Sequence, residues 1–262
     1  MPQPASIIAD DEPPTYEVVN HDGTAPFLLI CDHASNYIPR SMNALGLSEA
    51  DLERHVASDI GAASVARTLS TAFDAPLLQC NYSRLIIDPN RQPGTGSSIP
   101  RASEDVVVPG NHDLTREEVA RRRAVFFEPY HDAISAQVDR FVDRGATPAI
   151  ISVHSFTPAF HGVERPWHVG VLWHLDKRIA LPLIKRLSAE PDLVVGDNEP
   201  YSGSSPDGYS IYTHAESRGF PNVLIEIRQD LIDTPSGIDQ WSNRLRHALH
   251  EILADSDLYA TL

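Results

Sequence analysis

The chain has 262 residues, of which 42% are hydrophobic and 22% charged, and its formal net charge is −15. This composition is typical of a globular protein with a sizeable core, and the negative charge argues against nucleic acid and anionic membranes as partners. Because no run reaches the roughly 20 apolar residues of a membrane span and no basic start precedes an apolar stretch, we expect a cytoplasmic protein.

Strands and helices are predicted to alternate along the chain. A loose, acidic, proline-containing lead-in is expected over residues 1–20. It precedes "PFLLIC" at 26–31, a continuous apolar run typical of a sheet buried on both faces. Further strands are predicted at 76–80, 84–88, 149–156, 168–174, 192–197 and 222–228, and helices at 59–73, 115–144, 176–190, 209–218 and 236–255. This alternation, with no linker, predicts a single α/β domain over residues 1–262 around a mostly parallel sheet.

Local signals add detail to this pattern. Thr115 and Glu118 form a capping-box pattern at a helix start, and Pro129 is expected to kink or split the same helix. The segments 92–113 and 201–208 are rich in Gly, Pro and Ser and are predicted to be loops that cover a site. Cys31 and Cys80 end apolar runs and are expected to be buried, reduced thiols.

Polar residues gather where the predicted strands end, which is where sites form in open α/β sheets. They are Asp32, His33, Asn36, Asp59, Arg84, Asn90, Arg91, His154, Glu226 and Arg228. Two histidines with an acid suit a zinc site, a buried glutamate suits proton transfer, and arginines suit a carboxylate ligand. Each residue also has a structural interpretation: the chain has 12 histidines, Glu226 has Arg228 as a neighbouring ion-pair partner, and Arg84 and Arg91 suit a surface.

Five motifs taken in order carry a resemblance to a known family. "CDHASNYIP", "SDIGA", "SRLIIDPNR", "SVHSF" and "LIEIRQD" resemble the N-formylglutamate amidohydrolases, from residue 27 to residue 231. That family is similar to the zinc carboxypeptidases and aspartoacylases. The resemblance implies a three-layer α/β/α sandwich with a mixed, mostly parallel sheet, one catalytic Zn²⁺ per chain, and hydrolysis of a small-molecule N-acyl amino acid.

The resemblance also implies metal ligands. His33 and His154 match the two histidine ligands. Asn36 stands where the carboxypeptidase relatives have the glutamate of His-x-x-Glu, and Asp32 and His33 are neighbours whose side chains point to opposite faces of a strand. Asp59 of "SDIGA" matches an acidic position of the N-formylglutamate amidohydrolases and is the third ligand that the resemblance favours, with Asn36 and Asp32 as the alternatives.

The remaining residues carry over as catalytic and substrate-binding groups. Glu226 matches the general base and acid, and Arg84 matches the arginine that polarises the scissile carbonyl. Asn90 and Arg91 match the pair that binds the substrate α-carboxylate. Arg228 is our own addition, as a partner for a side-chain carboxylate.

Three functions follow as hypotheses. The first is zinc-dependent hydrolysis of N-formyl-L-glutamate to formate and L-glutamate. The second keeps the site but changes the substrate to another N-acyl amino acid, such as an acetyl or succinyl derivative. The third is a carboxylate-binding protein of the same fold without turnover, suggested by Asn36 at the glutamate position. Asp88, inside "SRLIIDPNR", has no predicted role beyond orienting one of the arginines.

Overall fold

The structure is a computed structural model that describes residues 6–204 and 208–260. Its strands are β1 (Tyr16–Val19), β2 (Phe27–Cys31), β3 (Leu77–Cys80), β4 (Ala102–Ser103), β5 (Val106–Val107), β6 (Ala149–Phe156), β7 (Ala159–Phe160), β8 (Val163–Glu164), β9 (Val169–Leu172), β10 (Val195–Asp197) and β11 (Asn222–Arg228). Seven of them form one sheet in the order β1-β3-β2-β6-β11-β9-β10, while β4 with β5 and β7 with β8 form two separate hairpins.

The sheet is mixed and mostly parallel, as predicted. Strands β3, β2, β6 and β11 run in one direction, and β10 runs parallel to β9. The antiparallel pairs are β11 with β9 and β1 with β3. Strand β1 was not predicted: part of the lead-in expected to be loose is the edge strand of the sheet. Its four half-buried residues are too few for periodicity to distinguish them from a loop.

The helices are α1 (Glu49–Leu52), α2 (Ala62–Phe73), α3 (Arg116–Arg122), α4 (Glu128–Asp143), α5 (Ala180–Leu187), α6 (Ser210–His214) and α7 (Pro235–Leu253). Thr115 and Glu118 form the predicted capping box. A π-helical turn, Arg123–Phe127, separates α3 from α4, and Pro129 lies in the first turn of α4, so the predicted interruption is confirmed. None of the described helices has the length and hydropathy that crossing a membrane requires.

Helices cover both faces of the sheet. Along β2, Phe27, Leu29 and Cys31 pack into a core with α2, α5 and α7, while Leu28 and Ile30 pack into a second core with α4. Such alternation follows from the two-residue period of a strand. The predicted three-layer α/β/α arrangement is therefore confirmed, and its apolar strands form a rigid support for the residues at their ends.

Residues 83–91 do not form the predicted strand. They form a buried segment of turns, called here the clamp turn. Ile86 N–H donates to the carbonyl of Ser83 at 3.0 Å, and Leu85 N–H donates to Ser83 Oγ at 3.2 Å. Leu85, Ile86 and Ile87 are buried in the second core, so their burial was predicted correctly. The strand prediction was wrong because a short apolar run has no periodicity that separates a buried strand from a buried turn.

Candidate active site

A cavity of about 960 Å³ lies at the carboxyl ends of the central parallel strands. His33 follows β2, His154 lies near the end of β6, and Glu226 of β11 is aligned with His154 across the parallel pair β6–β11. Parallel strands bring these distant residues to one edge of the sheet. Seven of the eight predicted site residues line the cavity: His33, Asp59, Arg84, Asn90, Arg91, His154 and Glu226.

Three buried residues face one another with atoms that bind metals. Asp59 Oδ2 lies 3.3 Å from His33 Nδ1 and 2.7 Å from His154 Nδ1. The ligand atoms of His33, Asp59 and His154 all lie within 4.8 Å of one another. Two histidines and one carboxylate are a donor set that catalytic zinc sites use, with a further coordination position left for water or substrate.

The other ring nitrogen of each histidine faces a buried aspartate. His33 Nε2 lies 2.7 Å from Asp88 Oδ1, and His154 Nε2 lies 3.1 Å from Asp32 Oδ2. An ionised carboxylate only accepts hydrogen bonds, so each Nε2 donates to its aspartate, and each Nδ1, which faces Asp59, is the atom on which a bound metal would replace a proton. Carboxylates commonly orient histidine ligands in this way. Asp32 thus supports His154 from behind and is not part of the three-residue group.

Backbone geometry places Asp59 beside the histidines. Asp59 N–H donates to the carbonyl of His33 at 2.9 Å. Two residues later, Gly61 adopts a φ of +78°, and a Cβ at that position would lie 2.2 Å from the carbonyl oxygen of Ile232. Only glycine tolerates both conditions, so the "SDIGA" motif is explained by a turn that delivers the Asp59 carboxylate and then starts α2.

The site holds an excess of buried negative charge. Although burial opposes ionisation, hydrogen bonding to His154 lowers the pKa of Asp32 to about 2, and the pKa values of Asp59 and Asp88 are also lowered. Burial lowers the pKa of His154, but hydrogen bonds with Asp32 and Asp59 outweigh it and raise the value to about 10. Buried carboxylates require a compensating positive charge, so this donor set fits a divalent cation.

Glu226 contributes a buried carboxylate to the cavity and forms no ion pair with a described residue. Its side chain is buried, and burial raises its pKa to about 7 despite the nearby His154. Its Oε2 is buried and makes no hydrogen bond to any described residue. An unpaired buried carboxylate oxygen with a pKa near neutrality is suited to accept and return a proton.

Asp88 joins three parts of the site. Its Oδ1 faces His33 and accepts from the backbone N–H of Asn90 at 2.8 Å, while its Oδ2 accepts from Arg84 Nε at 3.0 Å and Nη2 at 2.6 Å. Arg84 Nη1 lies 3.6 Å from Asp59 Oδ1, beyond hydrogen-bonding distance. Asp88 therefore orients a histidine, an arginine and the clamp turn together, and it leaves Arg84 Nη1 for another oxygen.

Asn90 and Arg91 close the clamp turn. Asn90 Oδ1 accepts from the backbone N–H groups of Tyr209 and Ser210 at 2.9 and 3.1 Å. Its amide oxygen is therefore already hydrogen-bonded to the start of α6. Arg91 Nη1 donates to the carbonyl of Asn90 at 2.9 Å. Arg91 lines the cavity and forms no ion pair with a described residue.

Two of the sequence candidates lie elsewhere. Arg228 forms an ion pair with Asp230, with distances of 2.8 and 3.2 Å, and does not line the cavity. Asn36 donates to the carbonyl of Leu52 at 2.9 Å on the protein surface. Arg228 therefore lies outside the cavity, and Asp59, not Asn36, faces the two histidine Nδ1 atoms.

A buried histidine pair behind the clamp turn was not predicted. His131 Nε2 lies 2.9 Å from the carbonyl oxygen of Pro89, which only accepts, so Nε2 carries the proton. Its Nδ1 then accepts from His214 Nε2, which is 2.9 Å away. Burial lowers the pKa values of His131 and His214 to about 4 and about 3, so both are neutral at pH 7. The sequence signal was the position of His131 on the apolar stripe of α4, a feature usually explained by packing.

The chain is similar in sequence and fold to known proteins. A sequence profile of the N-formylglutamate amidohydrolases matches residues 25–233. A solved structure of a gene product from Agrobacterium tumefaciens is 34% identical, with a TM-score of 0.91 over 95% of this chain and 98% of that one. The N-formylglutamate amidohydrolase from Ralstonia eutropha is 20% identical, with a TM-score of 0.69 over 92% of this chain and 97% of that one, a similarity that shows the fold. A search of curated protein sequences gave no match.

Proposed function

This chain belongs to the N-formylglutamate amidohydrolase family, and we propose that it is a zinc-dependent enzyme that hydrolyses N-formyl-L-glutamate to formate and L-glutamate. One observation carries the proposal: His33, Asp59 and His154 face one another in the cavity that also holds Glu226. Metal ligands beside an unpaired carboxylate are the arrangement that metal-assisted amide hydrolysis needs.

His33, Asp59 and His154 would hold the metal through Nδ1, Oδ2 and Nδ1. A zinc ion at this position supplies Lewis acidity, which polarises a carbonyl and makes water easier to deprotonate near neutral pH. The Nε2 protons of both histidines are directed away from it, toward Asp88 and Asp32. The protein's part is to hold these donors in a fixed orientation, and a bound metal would displace the proton that Asp32 and Asp59 stabilise on His154.

Glu226 then acts as the proton carrier. Its carboxylate removes a proton from the attacking water and delivers it to the nitrogen of the leaving amino acid as the amide bond breaks. Arg84 Nη1 donates a hydrogen bond to the developing oxyanion, since Asp88 occupies only its Nε and Nη2. One such donor is typically worth about 3–4 kcal/mol of transition-state stabilisation.

Arg91 and the amide nitrogen of Asn90 bind the substrate α-carboxylate. Asp88 holds the backbone of this pair, and His131 holds the carbonyl of Pro89 next to it. A carboxylate anchored on this turn presents the formyl group to the catalytic residues, so orientation contributes to the rate.

Arg91→Ala is expected to raise KM for N-formyl-L-glutamate about 10- to 100-fold, with a smaller change in kcat, because it removes a charge-assisted contact to the bound substrate. Arg91→Lys should lie between the wild type and the alanine variant, since lysine keeps the charge and loses the bidentate geometry. Steady-state kinetics of formate release measure both values. An unchanged KM in Arg91→Ala would remove this residue from the carboxylate site.

A second candidate substrate is another N-acyl amino acid, such as an acetyl or succinyl derivative. The cavity of about 960 Å³ favours this alternative, because that volume accommodates drug-sized ligands and so admits acyl groups larger than formyl. The third hypothesis, carboxylate binding without turnover, was suggested by Asn36 at the glutamate position. Asp59 offers a carboxylate beside both histidines, so Asn36 no longer favours that hypothesis.

A release assay separates these functions. The purified chain, supplied with zinc, is given the formyl, acetyl and succinyl derivatives of L-glutamate, and free formate, acetate and succinate are measured. We expect formate to be released with the highest kcat/KM. Faster release of acetate or succinate would establish the second function, and no release with zinc bound would support binding without turnover.

A further inference from the structure

Both ends of the short helix α6 are connected to the clamp turn by hydrogen bonds. At the start of the helix, two successive backbone N–H groups donate to Asn90 Oδ1, at 2.9 and 3.1 Å. At its end, His214 donates to His131, which in turn donates to the carbonyl of Pro89. Pro89 and Asn90 are consecutive, so the part of the clamp turn next to Arg91 is held from both ends of one helix.

The hydrogen bonds of the histidine pair run in one direction. Because the Pro89 carbonyl only accepts, neutral His131 donates from Nε2 and offers its Nδ1 lone pair to His214 Nε2–H. His214 Nδ1 is then an acceptor and lies 3.4 Å from the hydroxyl of Ser135 on α4. The two imidazole rings are stacked, with an angle of 10° between their planes. The pair therefore forms a chain of donors that ends on the clamp turn.

Packing alone does not explain this pair. His131 and His214 are 6% and 3% exposed, and neither lines the cavity, so they are not placed to touch substrate or metal. The ring of His131 packs against the rings of Phe127 and Tyr209, with centroid distances of 4.2 and 4.7 Å, where an apolar side chain would pack equally well. An apolar side chain would leave the Pro89 carbonyl without its donor, and buried carbonyls need one.

The attachment of α6 determines how the Asn90 amide is oriented. Its Oδ1 is occupied by the two N–H groups from α6, and its Nδ2 donates to no described residue. Asp88 fixes the backbone N–H of Asn90 at 2.8 Å. The amide nitrogen is therefore the atom left for a substrate carboxylate, provided that α6 keeps its position against the clamp turn.

We propose that His131 and His214 are positioning residues for substrate binding, which hold α6 against the clamp turn and thereby direct the Asn90 amide nitrogen toward the substrate α-carboxylate. The inference rests on the proposed function and extends it to two residues outside the cavity. Because the pair contacts neither the metal ligands nor Glu226, its loss affects KM and leaves the bound zinc in place.

The test uses variants of His131 that differ in one donor. His131→Leu removes the hydrogen bond to Pro89, whereas His131→Gln keeps an N–H donor near the position of Nε2. Ile134→Ala is the matched control, since Ile134 is a fully buried residue of the same helix and its truncation lowers stability without touching the clamp turn. Formate release from N-formyl-L-glutamate, zinc content and thermal unfolding are measured for each zinc-loaded protein.

We expect His131→Leu to raise KM about 3- to 10-fold with a smaller change in kcat and with one zinc ion still bound. His131→Gln should restore most of the affinity. His214→Phe, which keeps a stacked ring but loses the donor to His131, should also raise KM. Ile134→Ala should unfold at a lower temperature and keep the wild-type KM.

An unchanged KM in His131→Leu or His214→Phe would overturn the inference, as would an equal rise in His131→Leu, His131→Gln and Ile134→Ala. If the wild type releases no formate, the proposed function fails separately, and calorimetric titration with L-glutamate decides the inference. Binding that is weakened in His131→Leu and restored in His131→Gln supports it. Binding that is absent from the wild type, or equal in all variants, contradicts it.

Discussion

Glu226→Gln is expected to lower kcat by about 10²- to 10⁴-fold while the protein still binds one zinc ion per chain. Glutamine keeps the shape of the side chain but cannot accept the water proton or pass it to the leaving nitrogen. Because Glu226 Oε2 makes no hydrogen bond to a described residue, the substitution breaks no protein contact of that atom, and the fold should be retained. Single-turnover formate release and metal content measure the two parts of this expectation.

Glu216→Gln is the matched control for that variant. Glu216 also lines the cavity with a largely covered carboxylate, but it is paired with His174 and accepts from the backbone N–H of Leu175. Glutamine can still accept the latter hydrogen bond, so turnover should remain near the wild-type value. Near-normal turnover in Glu226→Gln, or an equal loss in both variants, would rule out Glu226 as the specific proton carrier.

Asp59→Ala is expected to abolish stoichiometric zinc binding and, with it, turnover. Its Oδ2 is the atom that both histidine Nδ1 atoms face, and removing it leaves two protein donors. Loss of a residue that only hydrogen-bonds to a metal ligand typically reduces metal affinity about 10- to 100-fold, and loss of a ligand itself should reduce it further. Elemental analysis after dialysis against zinc-free buffer measures the bound metal, and formate release measures turnover.

Asn36→Ala is the control for the metal ligand, because Asn36 stands at the glutamate position of the carboxypeptidase relatives. Its side chain is exposed and donates to the carbonyl of Leu52, so zinc content should not change. If Asn36→Ala loses the metal and Asp59→Ala keeps it, the choice of Asp59 as third ligand is wrong.

Much of the fold was predictable because its central strands are long apolar runs. Strands β2, β6 and β11 are buried on both faces, and such runs indicate a covered parallel sheet. The same signal failed for Leu85, Ile86 and Ile87, which are equally apolar and equally buried but lie in turns. Hydrophobicity predicts burial there, whereas the conformation depends on hydrogen bonds of Ser83, which composition does not reveal.

The sequence predicted most residues of the site, but few of the hydrogen bonds between them. His33, His154 and Glu226 could be assigned to one site because each lies in or just after a predicted strand, and the carboxyl ends of parallel strands meet at one edge of the sheet. The role of Asp88 depends on contacts with a histidine 55 residues away, and such contacts have no signature in sequence. The prediction that Arg228 binds a substrate carboxylate was wrong for a related reason. Asp230 is only two residues away, but the sequence does not show that the Arg228 side chain is directed toward it.

The most direct test is a zinc titration of the metal-free protein, with formate release from N-formyl-L-glutamate followed at each step. We predict that the chelated protein is inactive, that activity rises in proportion to bound zinc, and that it reaches a plateau at one zinc ion per chain. Full activity in the chelated protein, or no formate release at one bound zinc ion, would contradict the proposal.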